Sequence, residues 1–183
     1  ACHRSVLPLA LAAAGVPVLH AGAVATPTGV AGFCAVSGTG KSTLVAALAD
    51  SGFPPWADDA LAVEPGEEAA IALPLPFTLR ASHPRDPRTV EHPDPRPLAV
   101  LCLLRREPRL PRPEVVPLAP ARAFPALLPH AYVFDVDDPE EKSRTAAAYL
   151  DLCAQVPVVE LVFPPGLDRL PELVRVAAER VLR

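Results

Sequence analysis

Residues 35–43 read "AVSGTGKST", and the rest of the chain is read from this stretch outward. From Ala35 to Gly40, Lys41 and Ser42 the spacing follows the phosphate-binding pattern G-x-x-x-x-G-K-[ST], with alanine at the first position. Gly38 and Gly40 admit backbone angles that other residues avoid, so consecutive N–H groups can turn inward as an anion nest at a helix N-terminus. The pattern places Lys41 on the β- and γ-phosphates of a nucleotide and the Ser42 hydroxyl on Mg²⁺. The expected nucleotide-binding residues are Ser37, Gly38, Thr39, Gly40, Lys41, Ser42 and Thr43. The competing reading is a glycine-rich strand-to-helix turn with no ligand. Lysine usage weighs against it, because the chain holds two lysines against fifteen arginines and one of the two stands at position 41. A compact ammonium is needed there.

The flanks supply the context that the loop requires. Upstream, "VPVLHAGAVAT" (16–26) and "GVAGFCAV" (29–36) are small and β-branched runs about "TPTG" (26–29), a hairpin leading into the loop. Before them, the leucine- and alanine-rich residues 5–14 end at Gly15 and suit a short helix. Downstream, "STLVAALADS" (42–51) sets Leu44, Val45 and Leu48 on one face of an amphipathic helix closed by Gly52. Further strands are expected at "DDALAVEP" (58–65), "EAAIALPL" (68–75), "LAVLCLLRR" (98–106), "EVVPL" (114–118) and "VPVVELVF" (156–163), and further helices over 119–128, 137–155 and 167–182. Strands and helices alternate, but a hairpin intrudes near the front. The fold class expected is α/β, a mixed sheet with flanking helices, in a single domain spanning 1–183.

Composition narrows the function classes. Half of the 183 residues are hydrophobic and a fifth are charged, enough to bury a core without disulfides or metals. A net charge of -4 with scattered arginines leaves no footprint for nucleic acid. Apolar runs are interrupted well short of the roughly 18 residues of a membrane span. Cys2, Cys34, Cys102 and Cys153 lie far apart without metal-ligand spacing, so they read as buried free thiols of a reducing, cytoplasmic compartment. The stretch 5–25 superficially resembles a signal peptide, but it runs into the strand that the loop needs. The chain has no methionine and is read as a fragment or processed form of something longer. Residues 81–97, "ASHPRDPRTVEHPDPRP", are dense in proline and charge and read as an exposed loop, either a lid or a linker. Arg80 is a phosphate contact or a surface arginine; His83, His92 and His130 form no pattern and are expected at the surface.

Two further features bear on chemistry. Asp58 and Asp59 follow "FPPWA" and stand seventeen and eighteen residues after Lys41, where a loop is expected to enter a strand. Such a pair is either a solvated surface feature or, near a triphosphate, one carboxylate on the metal's waters and one taking a proton from an attacking hydroxyl. His20 lies in the first strand of the hairpin. It is either an ordinary half-buried histidine or, beside the loop strand, a donor to phosphate and a partner for a catalytic acid.

"LHAGAVA", "AVSGTGKST" and "ADD", in that order and at those intervals, resemble the kinase domain of the HPr kinase/phosphorylase family. The match spans some 40 residues; the remaining two thirds match loosely. The resemblance implies a fold similar to phosphoenolpyruvate carboxykinase, with its type of P-loop on a mixed sheet. It implies ATP- and Mg²⁺-dependent phosphorylation of a protein or peptide serine, with Asp59 as proton acceptor, Asp58 with Ser42 at the metal, and His20 and Lys41 on the phosphates. The family's metal-binding glutamate segment is not found among these residues, Glu64 being the nearest acidic residue without matching surroundings, and no match to the family's N-terminal domain or basic C-terminal helix is expected within these 183 residues. The compact form is similar to short HPr-kinase-like proteins encoded beside peptide-modifying systems, which points to a serine of a ribosomal peptide. Larger family members form rings, so an oligomer is compatible. The alternatives are an ATP-binding regulatory or scaffold module without phosphotransfer, and a P-loop kinase of a small metabolite.

Overall fold

The computed structural model describes residues 3–75, 77–78, 89–90, 94–132 and 137–183. The opening leucines and alanines form α1 (His3–Ala13), after which Gly15 turns the chain with positive φ. A short β1 (Val18–Leu19) is followed after His20 by β2 (Ala21–Thr26), which pairs antiparallel with β3 (Gly29–Cys34). The hairpin about "TPTG" is therefore present, in register from Ala21–Cys34 to Thr26–Gly29. α2 (Lys41–Asp50) follows the glycine-rich loop, then β4 (Pro55–Asp58), β5 (Leu61–Glu64), β6 (Ile71–Ala72), and the small pair β7 (Phe77–Thr78) and β8 (Thr89–Val90). The long β9 (Arg96–Arg106) leads to β10 (Glu114–Leu118), α3 (Pro120–Leu127), α4 (Pro139–Gln155), β11 (Val158–Phe163) and α5 (Leu170–Arg180).

These strands build a curled mixed sheet of nine strands among the described residues. Its main run is β10-β11-β9-β3-β2-β4, in which β11, β9 and β3 are mutually parallel and β10 and β2 run against them. At the start of β9, Arg96 and Pro97 pair with β6, and from there β5 and β1 continue the sheet. Every residue of β2 and β3 is buried, as expected of strands covered on both faces. On one face Ala21, Ala23, Leu101 and Val158 pack with Leu127 of α3 and Tyr149 and Leu152 of α4. On the other Val24, Phe33, Cys102 and Leu161 pack with Leu44 and Leu48 of α2 and Leu173 and Val176 of α5. Cys34, Cys102 and Cys153 are buried thiols, as read; Cys2 lies outside the described residues.

Three expectations need correction. Prolines 54 and 55 hid a strand: the acidic pair does not open one, Asp58 being the last residue of β4 and Asp59 lying in the bend before β5. Proline is tolerated here because, among the described residues, β4 lies at the sheet edge. The expected loop over 81–97 ends earlier than drawn, since Arg96 and Pro97 already belong to β9 and Thr89–Val90 pair with Phe77–Thr78. The rest of it that lies at 81–88 and 91–93 falls outside the described residues, as do Arg80, His83 and His92. His130 is buried, because the 3₁₀ turn Leu128–His130 tucks its backbone against His20.

Candidate active site

The site lies at the end of β3, where the chain leaves the middle of the sheet. Gly38 and Gly40 have φ of 82° and 108°, conformations that favour glycine. Thr39 N–H donates to the Val36 carbonyl at 3.1 Å, closing the loop. Gly40 caps α2 without a side-chain hydrogen bond, so the first-turn N–H groups keep their affinity for an anion. Ser37 and Gly38 are exposed at the tip, Thr43 is exposed on the first helical turn, and Lys41 is buried.

Lys41 is buried because its stem lies along β2. A Cβ on Gly22 would stand 3.5 Å from the Lys41 Cγ and 2.9 Å from a Val45 methyl, so the glycine of "HAG" is what lets α2 sit this close. The ammonium donates to the His20 carbonyl at 3.3 Å. Burial lowers the Lys41 pKa, against the pull of neighbouring Cys34, Asp59 and Asp58. The Cys34 thiol beneath it is pushed up to about 12 by burial and stays protonated.

β4 carries the acidic pair to the same place, since Asp58 pairs with Gly22 across the sheet. The Ser42 hydroxyl donates to Asp58 Oδ1 at 3.2 Å. Asp59 has φ of 103°, the one non-glycine residue with positive φ among the described residues. The Tyr132 hydroxyl donates to the Asp59 carbonyl at 3.4 Å. His20 is anchored by its N–H to the His130 carbonyl at 2.6 Å, and its ring lies 6.3 Å from that of Tyr132. Burial and then Lys41 lower the His20 pKa, outweighing Asp59 and Asp58, so the ring is neutral at neutral pH. Burial, Lys41 and His20 lower that of His130.

His20, Lys41, Ser42, Asp58 and Asp59 thus converge, though 39 positions separate the first from the last. Ser42 and Asp58 offer hard oxygen donors side by side, a set that suits Mg²⁺, which keeps waters and phosphate oxygens as its other ligands. Among the described residues no group of three or more His, Cys, Asp or Glu could hold a metal, and Glu64 is exposed at the far end of β5. Sequence reasoning missed Tyr132, His130 and Arg106. Arg106 ends β9 with its guanidinium 3.6 Å from where a Cβ on Gly40 would stand. It lines a cavity of about 190 Å³ together with Thr39, Gly40, Thr43, Phe163 and Leu167. One signal was in the sequence: Arg106 follows an apolar strand, which sends its end to the same edge as the loop. Nothing local marked the tyrosine or the histidine.

No family model and no curated protein matches the chain. Among solved structures it is similar to the Hpr(Ser) kinase/phosphatase from Coxiella burnetii, with a TM-score of 0.52 at 13% identity over 90% of this chain and 96% of that one. At that identity the likeness shows the fold, a mixed α/β sheet with flanking helices.

Proposed function

We propose that the chain is an ATP- and Mg²⁺-dependent kinase that transfers the γ-phosphate to a serine hydroxyl of a protein or ribosomal peptide, on a P-loop of the HPr-kinase type. The observation that carries this reading is the convergence of the loop N–H groups, Lys41, the Ser42–Asp58 pair and Asp59 at one sheet end. The fold shared with an Hpr(Ser) kinase/phosphatase supports it.

In this reading the nest and Lys41 receive the β- and γ-phosphates, with Lys41 exchanging the His20 carbonyl for phosphate oxygen. Neutral His20 donates to phosphate or to Asp59 without adding charge. In this reading the nucleoside would take the cavity beside Thr39, Gly40 and Arg106. Asp59 takes the proton of the attacking hydroxyl while the new O–P bond forms and the bond to the β,γ-bridging oxygen breaks, releasing ADP. Ser42 and Asp58 would hold Mg²⁺, which when bound neutralises charge on the transferring phosphoryl group. The protein contributes mainly position and fixed dipoles. No helix among the described residues is long and apolar enough to cross a membrane, which suits a cytoplasmic peptide kinase.

The test incubates the protein with γ-labelled ATP, Mg²⁺ and the short peptides encoded beside its gene, and locates the label by mass spectrometry. Label on a peptide serine that disappears in Asp59→Asn is the expected result. The lack of a third metal-binding side chain among the described residues favours one other reading, a module that binds ATP without phosphotransfer. ATP binding by calorimetry with no labelled acceptor would establish that instead.

A further inference from the structure

Asp59 holds a conformation that its own side chain disfavours: a φ of 103° crowds the Cβ of any L-residue. Such a conformation persists only where surrounding groups fix it. Among the described contacts, the Tyr132 hydroxyl donates to the Asp59 carbonyl at 3.4 Å. Tyr132 is itself fixed, because its N–H donates to the Val18 carbonyl at 2.8 Å, which ties it to the strand before His20. Its ring packs 6.3 Å from the His20 ring. The tyrosine therefore comes from 73 residues further along the chain to grip a single carbonyl.

We infer that Tyr132 is a positioning residue for Asp59: its hydroxyl holds the Asp59 peptide in the left-handed conformation that turns the carboxylate toward the acceptor side of the site. The hydroxyl neither takes the acceptor proton nor binds nucleotide. The inference rests on the kinase reading only for its catalytic consequence; the grip itself is a property of the chain.

The two parts separate in the Tyr132→Phe variant, which removes one oxygen and keeps the ring. The conformation of Asp59 is read by NMR from its φ-sensitive N–H to Hα coupling constant, without substrate. In Tyr132→Phe that coupling is expected to move away from the wild-type value, while the rest of the amide spectrum and the affinity for ATP stay unchanged. With a phosphorylatable peptide, kcat is expected to fall about ten-fold, as for a slightly misplaced catalytic group, with KM for ATP unaltered. Tyr132→His, which restores a ring donor, is expected to recover part of the loss. An unchanged coupling constant, or wild-type kcat with the coupling shifted, would overturn the inference. Absence of phosphotransfer in the wild type would remove the kinase reading, and the coupling constant would still decide the grip.

Discussion

On the proposed reading the site has a phosphate half and an acceptor half, and the two reach the same sheet end by opposite means. The phosphate side is one continuous stretch, 35–43, in which glycines occupy the positive-φ positions and the helix supplies its own N–H groups. The acceptor side is assembled from His20, Asp58, Asp59 and Tyr132, with an aspartate at a positive-φ position and contacts spanning up to 112 residues. A site that binds an anion can be written locally, because backbone dipoles do the binding. A site that must aim one carboxylate needs a side chain where glycine would be more stable, and the fold must hold it there.

The sharpest way to separate the halves is to disable each. Asp59→Asn should lower phosphotransfer by about 10²–10⁴-fold, the usual worth of a general base, and leave ATP affinity intact by calorimetry. Unchanged activity in that variant would take Asp59 out of its assigned part. Lys41→Ala should do the reverse, weakening ATP binding by about ten- to a hundred-fold, since a charge-assisted hydrogen bond contributes roughly 1.5–3 kcal/mol. If Lys41→Ala binds ATP as the wild type does, the loop is not the phosphate site.

A matched pair of substitutions tests the backbone difference. At Gly40, with φ of 108°, alanine should cost about 1–2 kcal/mol in urea unfolding. Its Cβ would meet only Arg106, at an ordinary 3.6 Å, so the backbone is the cause. At Asp59, Ala and Gly variants both lose the carboxylate, yet Asp59→Gly should be the more stable by about 1–2 kcal/mol for the same reason. Equal stability of those two would show that the left-handed conformation at Asp59 is not strained.

What could be read from the sequence follows the same division. The loop, the hairpin that feeds it and the helices over α2, α3 and α4 were legible because each is signalled within a few residues: "GTGKS", "TPTG", and the proline with acidic residues that opens α4 under an Asp138 cap. The strand Pro55–Asp58 was not, because Pro54 and Pro55 argue against a strand and a place at the sheet edge among the described residues admits Pro55. His130 looked superficial because burial depends on a turn that meets His20 across 110 positions. Tyr132 carries no local mark, and its use is fixed only once the sheet has brought Val18 and Asp59 beside it.

The half-buried His20 and the buried His130 give the smallest effect, and its sign can be worked out. Both His20 and His130 have pKa values below the ordinary 6.5, first through burial and then through Lys41, despite Asp58 and Asp59 beside His20. Between the folded and unfolded values the unfolded chain binds more protons, so stability rises with pH across that window. The contribution is complete above about 6.5 and is lost as pH falls from there toward the lowered values. The urea midpoint should therefore be higher at pH 8 than at pH 6, and the difference should shrink in a His20→Gln, His130→Gln variant, which keeps the backbone bond between the two positions. The phosphate side, which the Lys41 ammonium dominates, should show no such dependence: ATP affinity in that variant should change equally at both pH values. A midpoint difference of the same size with both histidines replaced would place the pH sensitivity elsewhere in the chain.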